Sequence, residues 1–280
     1  PGPFDIPSVY LNLQSLRKIF GGSYNGVPVQ AGAFLVTNSL IIPETESRPL
    51  NSGLGTSLLQ LGINGLVVAS IGSHLGLPDL FNTKNGRSGI GRFGLMDGQS
   101  MFSWNGVFPP EPSAWEKYFL GWIDPIVVPP GSASYVLPAV SLTAATDTVF
   151  RVPISAKEYF LVENRNRDAD SNGAIVTIVR NGLPIQRAFV HDTTNFNAFD
   201  QDSIYGVITD VDEFDWSLPG FTFAGEWYNG GILIWHIDEN VIEANYANDA
   251  VNADINRRGV NLMEADGSQD IGIVYGLIDP

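Results

Sequence analysis

The chain has 280 residues, enough for one large domain or two packed lobes, and its 44% hydrophobic and 16% charged residues make a globular composition, not a disordered one. Thirty acidic against 15 basic residues leave a net charge of -15, which repels phosphate backbones and argues against nucleic-acid binding. With no cysteine, disulfides, thiolate zinc sites and cysteine nucleophiles are excluded, and no stretch reads as a signal peptide or a membrane span.

Pro1-Gly2-Pro3 is not a natural start, so the chain reads as processed or trimmed. Residues 1–50 carry one clear strand pattern at 33–37 and a second at 40–42, which Pro43 ends. Residues 53–76 are apolar and rich in small residues. The spacing of Leu58, Leu59, Leu61, Ile63, Leu66, Val67 and Ile71 predicts a mostly buried helix near 55–75, stopped by Gly76 and Pro78. Six glycines in that stretch oppose it, each costing roughly 1 kcal/mol against Ala. A short helix is expected around 112–120, with Ser113 as its cap. From residue 132 onward short alternating runs predict strands at 134–137, 149–153, 159–163, 174–179, 231–237 and 260–263. The expectation is an α+β chain: a lobe over 1–130, then a β-rich lobe over 131–280 packed on it with no flexible linker.

The stretch ASIGSHLGLPDLFNTKNGRSGIGRFGLMDGQS at 69–100 sits at the end of the expected helix. PSAWEKYFLGW (112–122), YFLVENR (159–165), FDWSLPG (214–220), GGILIWHIDE (230–239) and GVNLMEADG (259–267) follow it in order. Together these resemble the immune inhibitor A-like metallopeptidases, a zincin family, over roughly residues 60–270. The resemblance implies a zincin-like lobe in the first half, secretion, and a helix bearing H-E-x-x-H-x-x-G-x-x-D. In that motif two His four residues apart on one helix face hold zinc, Glu activates the bound water and Asp is the third ligand.

Anchored on Gly76 and Asp79, the motif positions here hold Ala69, Ser70 and Ser73, and only Asp79 keeps its residue type. Alanine has no donor atom, and serine hydroxyls are poor zinc ligands and poor bases at neutral pH. His74 adjoins a lost ligand but points about 100° away around the helix. A catalytic zinc is therefore not expected. The short N-terminal region also implies that the upper wall of a zincin cleft is reduced or absent. Gly94-Leu95-Met96-Asp97 resembles the methionine turn beneath such zinc sites, but with the zinc ligands gone, core packing by Leu95 and Met96 is the favoured reading.

Other chemistry is weaker. Ser73-His74 cannot act as nucleophile and base, since adjacent helical residues do not face one another, and no G-x-S-x-G elbow is present. Asp168, Asp170 and Asn172 match the first half of a calcium loop, but Val179 stands where the bidentate Glu belongs; a partial calcium site and an Asx-rich turn both fit. Asp238, Asp249 and Asp254 are further oxygen-ligand candidates for calcium, against a solvated loop. His236, on an alternating strand, reads as a satisfied core histidine, His191 has no visible partner, and Trp104, Trp115 and Trp122 read as core or interface aromatics. The expectation is a secreted, extracellular, non-catalytic metallopeptidase homologue that works with a protein partner or by self-association, as an assembly subunit or binding module. The competing expectation is an active zinc endopeptidase of the same family.

Overall fold

The computed structural model describes residues 8–43, 46–52, 55–99, 106–129, 131, 133–142, 149–189 and 206–273. The fold is mixed α and β, with many strands and few helices. In chain order the first half contains β1 (Val9–Leu11), α1 (Leu13–Phe20), β2 (Val27–Val29), β3 (Phe34–Val36), β4 (Ser39–Ile41), β5 (Glu46–Ser52), β6 (Gly55–Leu61), α2 (Asn64–His74), α3 (Ala114–Phe119) and β7 (Ile126–Val127). The second half contains β8 (Val149–Pro153), β9 (Glu158–Asn166), β10 (Ala174–Arg180), β11 (Leu183–Phe189), β12 (Val207–Val211), β13 (Phe221–Phe223), β14 (Glu226–Tyr228), β15 (Gly230–Asp238), α4 (Glu239–Asn245) and β16 (Val260–Leu262).

A five-stranded sheet, ordered β16-β15-β9-β8-β7, anchors the molecule. Its strands are antiparallel except for β7 beside β8. β9 alternates as its sequence predicts: Tyr159, Leu161, Glu163 and Arg165 are buried, and the residues between them are half-buried. The main core packs Leu161, Trp235 and Ile237 from this sheet with Leu80, Ile90, Met96 and Trp115. The boundary expected at residue 130 thus crosses one shared core. A second cluster joins Val176 and Ile178 of the three-stranded sheet β11-β10-β12 to Phe108, Phe214 and Trp216.

The expected helix over 55–75 is shorter. Residues 55–61 form β6, which pairs along its length with β5. Apolar Leu58, Leu59 and Leu61 suit either structure, and a run of this length carries no decisive period. α2 begins only after Gly62, where a Cβ would lie 2.9 Å from the Val107 side chain, and Asn64 donates to the Val107 carbonyl at 3.1 Å. The helix ends as its sequence predicts: Gly76 takes φ 106°, and the Leu77 amide donates to the Gly72 carbonyl at 3.0 Å.

α1 was not legible in the sequence, and the run at 134–137 forms no strand; Tyr135 there packs edge-on against Phe150. α3 is a capping-box helix: Ser113 accepts from the Glu116 amide and the Glu116 carboxylate reaches back to Ser113. Trp115 is core, Trp122 is largely exposed, and Trp104 and His191 lie outside the described residues. His236 is not a core residue. It is half-buried, and its Nε2 sits 2.9 Å from Glu158.

Two buried carboxylates fix the 88–97 loop beneath α2. Glu116 accepts from the amides of Met96 at 2.8 Å and Leu95 at 3.2 Å. Asp97 accepts from the Gly89, Ile90 and Arg92 amides and from the Ser88 hydroxyl. A Cβ on residue 94 would lie 2.9 Å from the Glu116 carboxylate, so Gly94 is what lets the two segments meet. Glu116→Gln keeps one acceptor oxygen and sets an NH₂ group against amide donors. The expected cost is about 1–3 kcal/mol in urea unfolding; a change within about 0.5 kcal/mol, the range of an ordinary surface substitution, would show that the clamp does not hold the loop.

Candidate functional site

The C-terminal half of α2 lines a cleft of about 540 Å³. Ala69, Ser70 and Ser73 face it from the helix, with Leu77, Leu95 and Met96 beneath. Gly72 brings helix and floor together, since a Cβ there would lie 3.1 Å from the Met96 sulfur. The opposite wall is 246–249, just after α4. Tyr246 donates its hydroxyl to the Gly76 carbonyl at 2.5 Å, and Thr83 donates to the Asp249 carbonyl at 2.8 Å. The N-terminal segment contributes to the cleft. Tyr10 of β1 and Gln14 and Lys18 of α1 close that side.

The four motif positions do gather here, and their chemistry is what the residue types dictate. Ala69 offers no donor. Ser73 gives its hydroxyl hydrogen to the Ala69 carbonyl at 3.3 Å, and Ser70 is buried. His74 points elsewhere and packs edge-on against Tyr10, with ring centroids 5.9 Å apart.

Asp79 is engaged by a residue that sequence reasoning had assigned to a different site. Its amide donates to the Asp249 carboxylate at 2.9 Å, which brings the two acidic side chains together. Asp249 reaches this position from a left-handed backbone, φ 52° and ψ 47°, at the end of the turn after α4. Burial, and then the neighbouring Asp249 charge, push the Asp79 carboxyl from its ordinary value of 3.8 up to about 8. At neutral pH the Asp79 carboxyl is therefore held mainly in its protonated form.

The other predicted ligands divide. Asp238 caps α4, accepting from the Asn240 and Val241 amides, and faces Arg257 at 3.4 Å. Asp254 accepts from the Asn256 amide in a tight turn. With Asp249 committed to Asp79, these three do not form one cation site.

Asp168 and Asp170 do converge, and Glu213 joins them: one carboxylate oxygen from each lies within 4.8 Å of the others, a group able to hold a metal ion. Asn172 serves as a donor, its amide bonding both Asp168 and Asp170 at 3.1 Å. Burial and the adjoining Asp170 carboxyl raise the Glu213 pKa. Glu213 lies 43 residues from Asp170, so no local motif could have revealed it.

No family model, no curated protein and no solved structure matches the chain. Among the described residues, no helix is long and apolar enough to cross a membrane.

The raised Asp79 pKa sets a pH dependence. The folded protein binds this proton more tightly than the unfolded chain does, so the associated stability is complete below about pH 4 and is lost as pH rises towards 8. Asp249→Asn keeps the acceptor, suits the left-handed backbone and removes the like charge. It is expected to gain about 1 kcal/mol at pH 8 and almost nothing at pH 4.5, as read by thermal unfolding across pH. An equal change at both values would contradict the raised Asp79 pKa.

Proposed function

We propose that this chain is a non-catalytic homologue of the immune inhibitor A-like metallopeptidases, secreted and acting through its surfaces as a binding or assembly module. One observation carries the reading: the motif positions line a single cleft yet supply just one carboxylate, and Asp249 already occupies it. A hydrolytic zinc needs three strong donors and a base beside its water. Alanine and two serines supply neither. The cleft itself persists, and its volume is in the range that accepts small ligands or peptide side chains.

Purified protein is expected to carry no stoichiometric zinc and to show no chelator-sensitive proteolysis. Stoichiometric zinc with such activity would overturn the reading in favour of an active endopeptidase. If the helix keeps the family geometry, the combined substitution Ala69→His, Ser70→Glu and Ser73→His should fold, since all three residues line the cleft, and should take up about one zinc per chain with Asp79 as third ligand. A folded triple variant that takes up no zinc would undo the alignment with the family motif. A mass in solution well above 30.3 kDa would support assembly with further copies.

We also propose that Asp168, Asp170 and Glu213 hold calcium, a hard cation that suits carboxylate oxygens. Calcium at about ten times its dissociation constant should raise stability by roughly 1.4 kcal/mol. Glu213→Gln should remove most of that gain; a gain of equal size in the variant would place the ion elsewhere.

A further inference from the structure

A second cavity, of about 330 Å³, lies between the 82–88 loop and the 252–258 segment. Its lining is unusual for a chain with a net charge of -15: Lys84, Arg87 and Arg258 face one carboxylate, Asp254. None of the three cations forms an ion pair among the described residues.

Arg258 is the informative member. It is only 6% exposed. Its guanidinium donates from Nη1 to the Asn261 side chain at 3.0 Å and from Nη2 to the Ile271 carbonyl. A guanidinium has five N–H donors, so these bonds leave three, and the Nε–H is buried without a partner. A buried cation whose hydrogen-bond partners are all neutral is costly, and such groups are ordinarily paired. The carboxylates that act on it through space, Asp97 and Glu264, are both committed. Asp97 holds the 88–92 loop, and Glu264 accepts from the Asp270 and Ile271 amides. Asp254 spends one oxygen on the Asn256 amide.

The cavity wall is ordered by its own hydrogen bonds. Asn82 donates to the Ala253 carbonyl at 3.0 Å and accepts from the Lys84 amide at 3.0 Å, and Asn85 accepts from the Arg87 amide at 3.0 Å. The loop therefore presents Lys84 and Arg87 from a fixed frame, while their exposed side chains remain free to close on a ligand.

We propose that this cavity is an oxyanion site that takes a phosphate or sulfate group, free or as the head of a small ligand. Arg258 is its buried anchor, and Lys84 and Arg87 are its outer clamp. A tetrahedral oxyanion offers several acceptors to the unused guanidinium donors and balances the local charge. The proposal is independent of any metallopeptidase ancestry.

The test is calorimetric titration of the full chain with inorganic phosphate and, separately, with sodium sulfate, ionic strength being held constant with sodium chloride. The expected result is saturable binding at one site per chain for at least one of the two anions, and the tighter one identifies which ester class the site prefers. The surface variant Lys84→Ala/Arg87→Ala should weaken that binding at least tenfold, and Arg258→Met should abolish it. If Arg258→Met does not fold, as judged by circular dichroism, the surface variant decides alone. Absence of saturable binding beyond chloride would overturn the proposal and leave Arg258 as a tether for the 271 segment. Binding of equal strength in the surface variant would overturn it as well.

Discussion

The Glu116 carboxylate stands where three segments meet. It belongs to the first turn of α3, reaches back to the start of that helix, and accepts the Leu95 and Met96 amides of the loop beneath α2. Burial alone pushes this carboxyl up, and the converging amides oppose that shift. A buried acid of this kind is tolerable only if each bond is made, which is why the loop cannot move independently of α3. Once the loop is fixed, Met96 lies against Gly72, α2 is seated, and the cleft has a floor. On the far side of α3, Glu163 of the central sheet accepts from the Trp235 indole at 2.8 Å and lies 4.0 Å from Lys117. The site is therefore braced through the core by buried polar groups as well as by apolar packing.

The cleft is lined by Ala69, Ser70, Ser73 and Asp79, the positions on which the proposed resemblance is aligned. Where the family motif calls for two imidazoles and a base, the helix offers a methyl group and two hydroxyls. The acid at this end of the cleft, Asp79, lies beside a second acid, Asp249. Burial, and then the neighbouring Asp249 charge, raise the Asp79 pKa and keep that carboxyl mainly protonated at neutral pH. Electrostatics also separates the molecule's surfaces. Asp168, Asp170 and Glu213 form an acidic group, whereas Lys84, Arg87 and Arg258 collect at a cavity elsewhere.

Much of the central sheet was legible in the sequence. β8, β9, β10, β15 and β16 fall on runs that the sequence marks as strands, burial alternating most regularly in β9 and β10, and Ser113 with Glu116 announces α3. The stretch that failed, 55–61, is apolar without a decisive period, and its strand partner β5 is a polar segment that sequence patterning does not mark. Of the cleft, the helix face and Asp79 could be read because they lie within eleven residues of one another. The Asp79–Asp249 pair could not, because it joins positions 170 residues apart, and the same holds for Glu213 with Asp170 and for Arg258 with Lys84. Closures of this kind are set by how the sheet brings α4 and its following turn back to α2. Local pattern contains no record of them.

The proposed reading is that this cleft holds no metal and instead sets a protonated Asp79 beside Asp249. Diffraction from crystals soaked in zinc, recorded on both sides of the zinc absorption edge, tests it most directly. The account predicts no anomalous peak between α2 and the 246–249 wall, with Asp79 and Asp249 still joined by a hydrogen bond. A tetrahedral peak bound by Asp79 and by groups at positions 69 to 73 would contradict it.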